Sequence, residues 1–502
     1  MLVRQSIFFL IGLLPMLVVA AITTQPFMYI DTDHPESALF IHWQGGTGTV
    51  HYGISDYSQS LTGDNEVHLT GLAGHARYQW FLVVDGDTGE LGSFQLDPGV
   101  GGSFKMALFG DTQMMDSAGV RFFEYAHTHR PDLIAVLGDL LTMDNAGCVG
   151  CNSFERFFNF YPALFANAIL VPVKGNHDDS MAYWTARFPH IPATVYTDDV
   201  NVTAEHQLGH NYFMDYGNVT FCINDGNQTA GPGEWTHSLL KSWWTAKLDA
   251  RIAAQTLRPI VVVLTHYPRD IGGSSYFGPV YQTRHGVLFY NGHSHYYKRT
   301  KWLQMGNTYG SGVTGVSDTQ TAGYMVYCHA GQAAGTDDCT SDSNTVYSNC
   351  SGDADAARLM SLVEVAGDGM IHHAAYKVLN TQGRYDGDHG VRDSFSVNCT
   401  AEVSGATGTA TQPSELNNGP LLTASPNPFS SEVRFSIAGL AGTASADLRI
   451  YDLRGRLLES PLIHAGPGRE AIWNARGMSA GVYLARLQVG NRELTRIVLL
   501  QQ

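Results

Sequence analysis

Five short stretches of this chain end in side chains that can hold a metal ion. "ALFGDTQ" carries Asp111 and Gln113, "AVLGDLLTMD" Asp139, "VPVKGNHDD" Asn176 and His177, "VVVLTHYP" His266, and "LFYNGHSHYYKR" His293 and His295. Mixed carboxylate, amide and imidazole donors suit borderline or hard divalent ions such as Mn, Fe or Zn. Seven candidate ligands, His177 set aside, exceed the roughly four that one tetrahedral ion takes. A carboxylate such as Asp139 is able to bridge two ions. Two metals about 3.5–4 Å apart are the apparatus for in-line attack of hydroxide on phosphorus.

The spacing supports convergence. Residues i and i+2 on an extended segment point to the same side, so His293 and His295 can each serve one ion of a close pair. Glycine precedes Asp111, Asp139, Asn176 and His293, where the backbone must turn sharply to aim each side chain inward. The pair His127 and His129 lies in a helix-like stretch instead. There i and i+2 diverge, and both read as surface residues.

The elements that must position these groups follow from the hydrophobic pattern. "FKMALF", "LIAVL", "ILVPV", "TFCIN", "IVVVL" and "GVLFY" are near-continuous apolar runs, as strands buried on both faces require. Helix-like stretches such as "SAGVRFFEYAHTHR" and "EWTHSLLKSWWTAKLDARIAAQ" separate several of them, which predicts a layered α/β domain. In such sheets, sites form outside the carboxyl ends of the strands. Before it, Phe27 to Pro98 alternates apolar and polar residues in short runs between Gly, Asp and Asn, the grammar of an antiparallel sandwich. Residues 335–354 form a polar loop and 401–420 a linker by composition. "EVRFSIA", "ADLRIYDL", "GVYLARLQV" and "LTRIVLL" then give a second small β-sandwich.

The chain of 502 residues is too long for a single core. A formal net charge of −16 argues against nucleic-acid and anionic-membrane partners, which need clustered Lys and Arg. The opening "MLVRQSIFFLIGLLPMLVVAAITTQ" has the Arg, apolar core and small residues of a secretory signal, with cleavage expected after Ala21. No transmembrane span is expected once it is removed. Export permits disulfides among the seven cysteines. Cys148 and Cys151 read as a loop staple and Cys222 as a buried free thiol. Cys328, Cys339, Cys350 and Cys399, in or beside polar loops, are able to pair among themselves.

Taken in order, "GDTQ", "GDLL", "GNHD", "VLTH" and "GHSH" resemble the signature of the calcineurin-like metallophosphoesterase superfamily. "NYFMDYGNVTFCIND", "GHSHYYKR" and "VRDSFSV" are most similar to its purple acid phosphatase branch. The resemblance implies a four-layer α/β/β/α catalytic domain over 103–400, led by a fibronectin-III-like sandwich at 26–98. It places Asp111, Asp139, His295 and Gln113 on one metal, and Asp139, Asn176, His266 and His293 on the other. His177 would act beside the metals on the phosphoryl oxygen or leaving group. Two departures stand out. Thr142 occupies the position of the branch's tyrosinate, and Gln113 that of a His or Gly, which implies a colourless enzyme of two divalent ions. "SPNPF", "LRIYDLRGRLL" and "MSAGVYLARLQVGNRELTRIVLL" resemble the sorting domain of type IX secretion, an immunoglobulin-like sandwich at 421–502. The implied protein is secreted or held at the cell surface, having met a secretion machinery. It would hydrolyse a small-molecule phosphate ester, most readily a monoester, by attack of metal-bound hydroxide. The alternatives are a phosphodiesterase or pyrophosphate hydrolase, and a catalytically inactive surface-binding module.

Overall fold

The computed structural model describes residues 22–112, 117–140, 154–178, 184, 188–191, 211–224, 237–267, 278–306, 313–331, 339, 343–351, 353, 356–406, 421–425, 429–438, 446–452, 456–463, 469–479, 481–489 and 492–500. The expected signal segment 1–21, and Cys148 and Cys151, lie outside the described residues.

The leading strands are β1 (Thr24–Ile30), β2 (Leu39–Gly53), β3 (Gln59–Leu69), β4 (Arg77–Val84), β5 (Asp87–Thr88) and β6 (Gly92–Gln95), and they pair antiparallel. "ALFIHW" and "TVHYG", which read as two runs, are one strand, β2, with a register shift between His42 and Thr47. Gly45 and Gly46 take positive φ there, and Asn65 Oδ1 accepts both of their N–H groups at 3.0 and 2.8 Å. The side-chain amide replaces the ladder bonds that the bulge removes.

The central region runs β7 (Phe104–Phe109), α1 (Ser117–Thr128), β8 (Leu133–Leu137), α2 (Phe154–Asn159), α3 (Pro162–Asn167) and β9 (Ile169–Val173). It continues with β10 (Tyr212–Tyr216), β11 (Val219–Asn224), α4 (His237–Ala253), β12 (Ile260–Thr265), α5 (Gly278–Gln282), β13 (Gly286–Asn291) and β14 (Tyr297–Met305). Then come β15 (Val313–Ser317), β16 (Met325–Ala330), β17 (Thr345–Asn349), β18 (Ala357–Val365), β19 (Met370–Asn380), β20 (Val391–Asn398) and α6 (Thr400–Ala406). Helix α6 takes up the start of the stretch read as a linker; residues 407–420 lie outside the described residues.

Two sheets carry this region. The first has the order β20-β19-β18-β7-β8-β9-β1-β2-β4-β5, with β7, β8 and β9 parallel. The second has the order β10-β11-β12-β13-β16-β14-β15, with β11, β12, β13 and β16 parallel. Alternation along β12 shows why its run is apolar throughout. Val262 and Leu264 join the main core with the first sheet, while Val261 and Val263 pack with Trp244 of α4 and Tyr281 of α5. On the first sheet's outer side, Phe109 meets Phe122 of α1 with ring centroids 5.3 Å apart. The layers are therefore helix, sheet, sheet, helix.

The leading strands are welded to this body. Tyr29 of β1 pairs in parallel with Leu170 of β9, so the first sheet runs on without a seam. Phe27 stacks on Phe158 at 3.9 Å, and Trp80 Nε1 donates to the Ala166 carbonyl at 3.1 Å. The polar loop at 335–354 contains β17 and a disulfide, Cys339–Cys350. Cys328 lies in a buried strand, not in a loop, and it, Cys222 and Cys399 are free thiols.

The C-terminal strands are β21 (Leu421–Ser425), β22 (Glu432–Ala438), β23 (Ala446–Asp452), β24 (Leu457–Glu459), β25 (Arg469–Asn474), β26 (Gly481–Val489) and β27 (Arg492–Leu500). They form a three-stranded and a four-stranded antiparallel sheet around a core of their own, with Trp473, Phe435 and Leu487 inside it.

Candidate metal centre

The strand ends converge as their sequence placement requires. Asp111 follows β7, Asp139 follows β8, Asn176 and His177 follow β9, His266 follows β12, and His293 and His295 lie between β13 and β14. Asp111, Asp139 and His293 take φ of 50°, 52° and 66°, uncommon for non-glycine residues and typical of strained functional turns. The preceding glycines make these turns sterically possible. A Cβ at Gly138 would lie 2.4 Å from His266 Nδ1, and one at Gly292 2.2 Å from the Leu137 carbonyl oxygen.

One group of donors is packed closely enough to share a single cation. His266 Nδ1 donates to the Leu137 carbonyl at 2.8 Å, so Nε2 of the neutral ring carries a lone pair. That lone pair faces Asn176 Oδ1 at 2.9 Å, His293 Nδ1 at 3.3 Å and Asp139 Oδ2 at 3.4 Å. Asn176 Oδ1 also lies 3.1 Å from His293 Nδ1. Four potential metal donors converge, and either a metal ion or a proton fills the space between them. A proton is the substitute: burial opposes charge on His266, but the hydrogen bond to Asp139 and the charges of Asp111 and Asp139 outweigh it and raise the ring to about 9. His293 moves the other way, down to about 4, through burial and the neighbouring His266.

The second group is sparser. Asp111 is fully buried, its Oδ2 accepts the His293 N–H at 2.9 Å, and its Oδ1 has no hydrogen-bond partner among the described residues. That orphaned oxygen lies 3.5 Å from His295 Nε2. Burial pushes the Asp111 carboxyl up, against the pull of His295 and His266. Gln113 and Thr142 lie outside the described residues.

His177 gives its backbone N–H to Asp139 Oδ1 at 2.7 Å, and its half-exposed ring brings Nε2 to 4.0 Å from Asp139 Oδ2. It stands at the rim of the donor cluster. His127 and His129 are remote from the site and only half-buried, His127 against Tyr161 and His129 against Tyr125.

Sequence reasoning missed two supports. Asp178 is buried, and its Oδ2 accepts the N–H groups of Gly175 at 2.7 Å and Asp139 at 2.9 Å, tying two ligand turns together. The first acidic residue of "GNHDD" was the signal available. Tyr267 packs its ring against His266 and His293, at 5.1 and 4.5 Å.

A fold of two apposed sheets with this donor cluster at the carboxyl ends of their parallel strands defines a metal-dependent hydrolase of the phosphoesterase class. Residues 104–297 match the family model described as Calcineurin-like phosphoesterase, which supports a metal-dependent phosphoesterase. Residues 424–501 match the Secretion system C-terminal sorting domain, which marks the chain for export. No curated protein sequence matches the chain significantly. Among solved structures it is similar to a purple acid phosphatase, PPD1, from seeds of yellow lupin (Lupinus luteus). That match has a TM-score of 0.54 at 13% identity and covers 78% of this chain and 77% of that one. A second, PhoD, gives a TM-score of 0.53 at 10% identity, over 75% of this chain and 90% of that one. These likenesses carry the fold.

Proposed function

We propose that this chain is an exported phosphomonoesterase working with two divalent ions, Mn, Fe or Zn. The observation that carries the reading is the convergence of donor atoms of Asp139, Asn176, His266 and His293, in contacts of 2.9 to 3.4 Å. On this reading those four hold one ion, while Asp111, His295, Asp139 and Gln113 hold the other. Such ions supply Lewis acidity and a hydroxide nucleophile near neutral pH. The protein's own groups do the rest. His177, on the rim and reachable from solvent, donates a proton to the phosphoryl oxygen or the leaving group. His266 is held in one tautomer by the Leu137 carbonyl, so its Nε2 always faces the centre. Thr142 offers no phenolate, so pure protein has no visible charge-transfer band.

The same reading divides the chain into a signal peptide at 1–21, a fibronectin-III-like domain at 26–98, the catalytic domain at 103–400, a linker at 401–420 and an immunoglobulin-like sorting domain at 421–502. The mature protein is secreted or held at the surface.

The test is hydrolysis of p-nitrophenyl phosphate and bis-p-nitrophenyl phosphate by metal-free protein titrated with Mn, Zn, Fe or Mg, beside Asp139→Asn. Metal-dependent turnover, absent in the variant and faster on the monoester, is expected. A faster diester reaction would replace the substrate class. Two ions bound without turnover would leave a surface-binding module.

A further inference from the structure

The loop bearing His293 and His295 is a strained object. Ser294 N–H bonds back to the Gly292 carbonyl at 2.8 Å and Tyr296 N–H to the Ser294 carbonyl at 2.7 Å. Each histidine thus sits at the centre of a three-residue turn, and His293 does so at φ 66°. The positive-φ form of that turn is rare and strained. Such strain persists only where the surroundings over-determine the backbone.

What surrounds this loop is a buried chain of hydrogen bonds whose direction follows from its charged end. Arg299 Nε and Nη2 grip Asp393 Oδ2 and Oδ1 at 2.6 and 2.8 Å. Tyr297 O–H donates to Asp393 Oδ2 at 2.8 Å. With its one proton spent, the Tyr297 oxygen accepts from His373 Nε2–H at 3.0 Å. His373 Nδ1 is then the acceptor for Tyr290 O–H, also at 3.0 Å. Burial pushes His373 down to about 3, so the ring carries the single proton this scheme needs. The Arg299 guanidinium also lies over the Phe395 ring at 4.7 Å.

The placement of this chain is what gives it a role. Tyr290 is the penultimate residue of β13, while Tyr297 and Arg299 open β14, so the three flank residues 291–296 on both sides. His373 and Asp393 come from β19 and β20, on the opposite sheet. A fixed point in one sheet therefore holds both ends of a strained loop in the other, and none of the five side chains is an expected ligand.

We propose that Asp393, acting through Arg299 and Tyr297 and backed by His373, is a positioning residue that clamps the His293–His295 loop in its metal-accepting shape. The purpose of the clamp rests on the phosphoesterase reading above.

The experiment compares full-length wild type, Asp393→Asn and Tyr297→Phe. Two quantities are read: the Mn(II) dissociation constant by chelator competition, and amide hydrogen exchange across Gly292–Tyr296 in metal-free protein. Removal of a partner that orients ligands weakens metal binding by about 10–100-fold. Asp393→Asn is expected in that range and Tyr297→Phe toward its lower end. Both should show faster exchange in the loop, and kcat should recover as Mn is raised. Should Asp393→Asn fail to fold, Tyr297→Phe, which removes one hydroxyl, carries the test. Wild type that binds Mn beside folded variants of equal affinity overturns the clamp alone. Wild type that takes up none of Mn, Zn or Fe in the same competition assay overturns the two-metal reading and the clamp with it.

Discussion

Replacing Asp178 separates a supporting role from a ligand role. One oxygen of this buried carboxylate accepts two backbone N–H groups, from Gly175 and Asp139. In Asp178→Ala both are stranded away from water. An unsatisfied buried donor costs about 1–3 kcal/mol, so the pair costs roughly 2–6 kcal/mol. Asp178→Asn keeps a carbonyl oxygen for both bonds and loses only the charge. Hydrogen bonds to charged groups contribute about 1 kcal/mol more than neutral ones, which predicts a cost near ~2 kcal/mol for the two. The assay is urea unfolding of the metal-free chain, followed by the tryptophan signal of the central region. With a slope of about 3 kcal/mol per molar urea, the midpoint should fall about 1.3 M for Ala and about 0.7 M for Asn. An Ala variant within about 0.3 M of wild type, or an Asn variant worse than Ala, would show that this oxygen does not hold the turns.

Two further outcomes are expected. His266 in the metal-free chain is raised to about 9, so its contribution to stability is full below about 6.5 and lost as pH rises through about 9. Metal uptake at pH 8 must therefore expel that proton, read as a buffer-dependent heat in calorimetry; no proton release at pH 8 would refute the assignment. The Cys339–Cys350 disulfide closes a separation of 11 residues. By the chain-entropy rule Cys339→Ser should cost about 3 kcal/mol, measured as a lowered urea midpoint of the transition that includes β17.

Much of the site was legible because strand ends are local features. Five apolar runs each closing on a donor, four of them through Gly, placed Asp111, Asp139, Asn176, His266, His293 and His295 before any coordinates, and the structure sets all six at neighbouring strand ends. Long-range partners were not legible in the same way. Asp393 lies 94 residues from the arginine it grips, and neither residue's neighbours advertise the pairing. The bulge that makes β2 one strand depends on Asn65, a residue of the next strand, so the sequence alone shows two runs broken at Gly45–Gly46. The parallel pairing of Tyr29 with Leu170 likewise leaves no periodic trace, because one rung of a ladder imposes no pattern.

The position of β18 has a consequence for biogenesis. It lies against β7, joining Phe104 to Val365 and Leu108 to Ser361 across some 250 residues of intervening chain. Contacts so far apart in sequence close late and slowly. A nascent chain stopped before residue 357 would contain every expected ligand and yet lack the strand that flanks the one leading into Asp111. The sheet that carries Asp111 is thus completed only when nearly all of the central region has been synthesised.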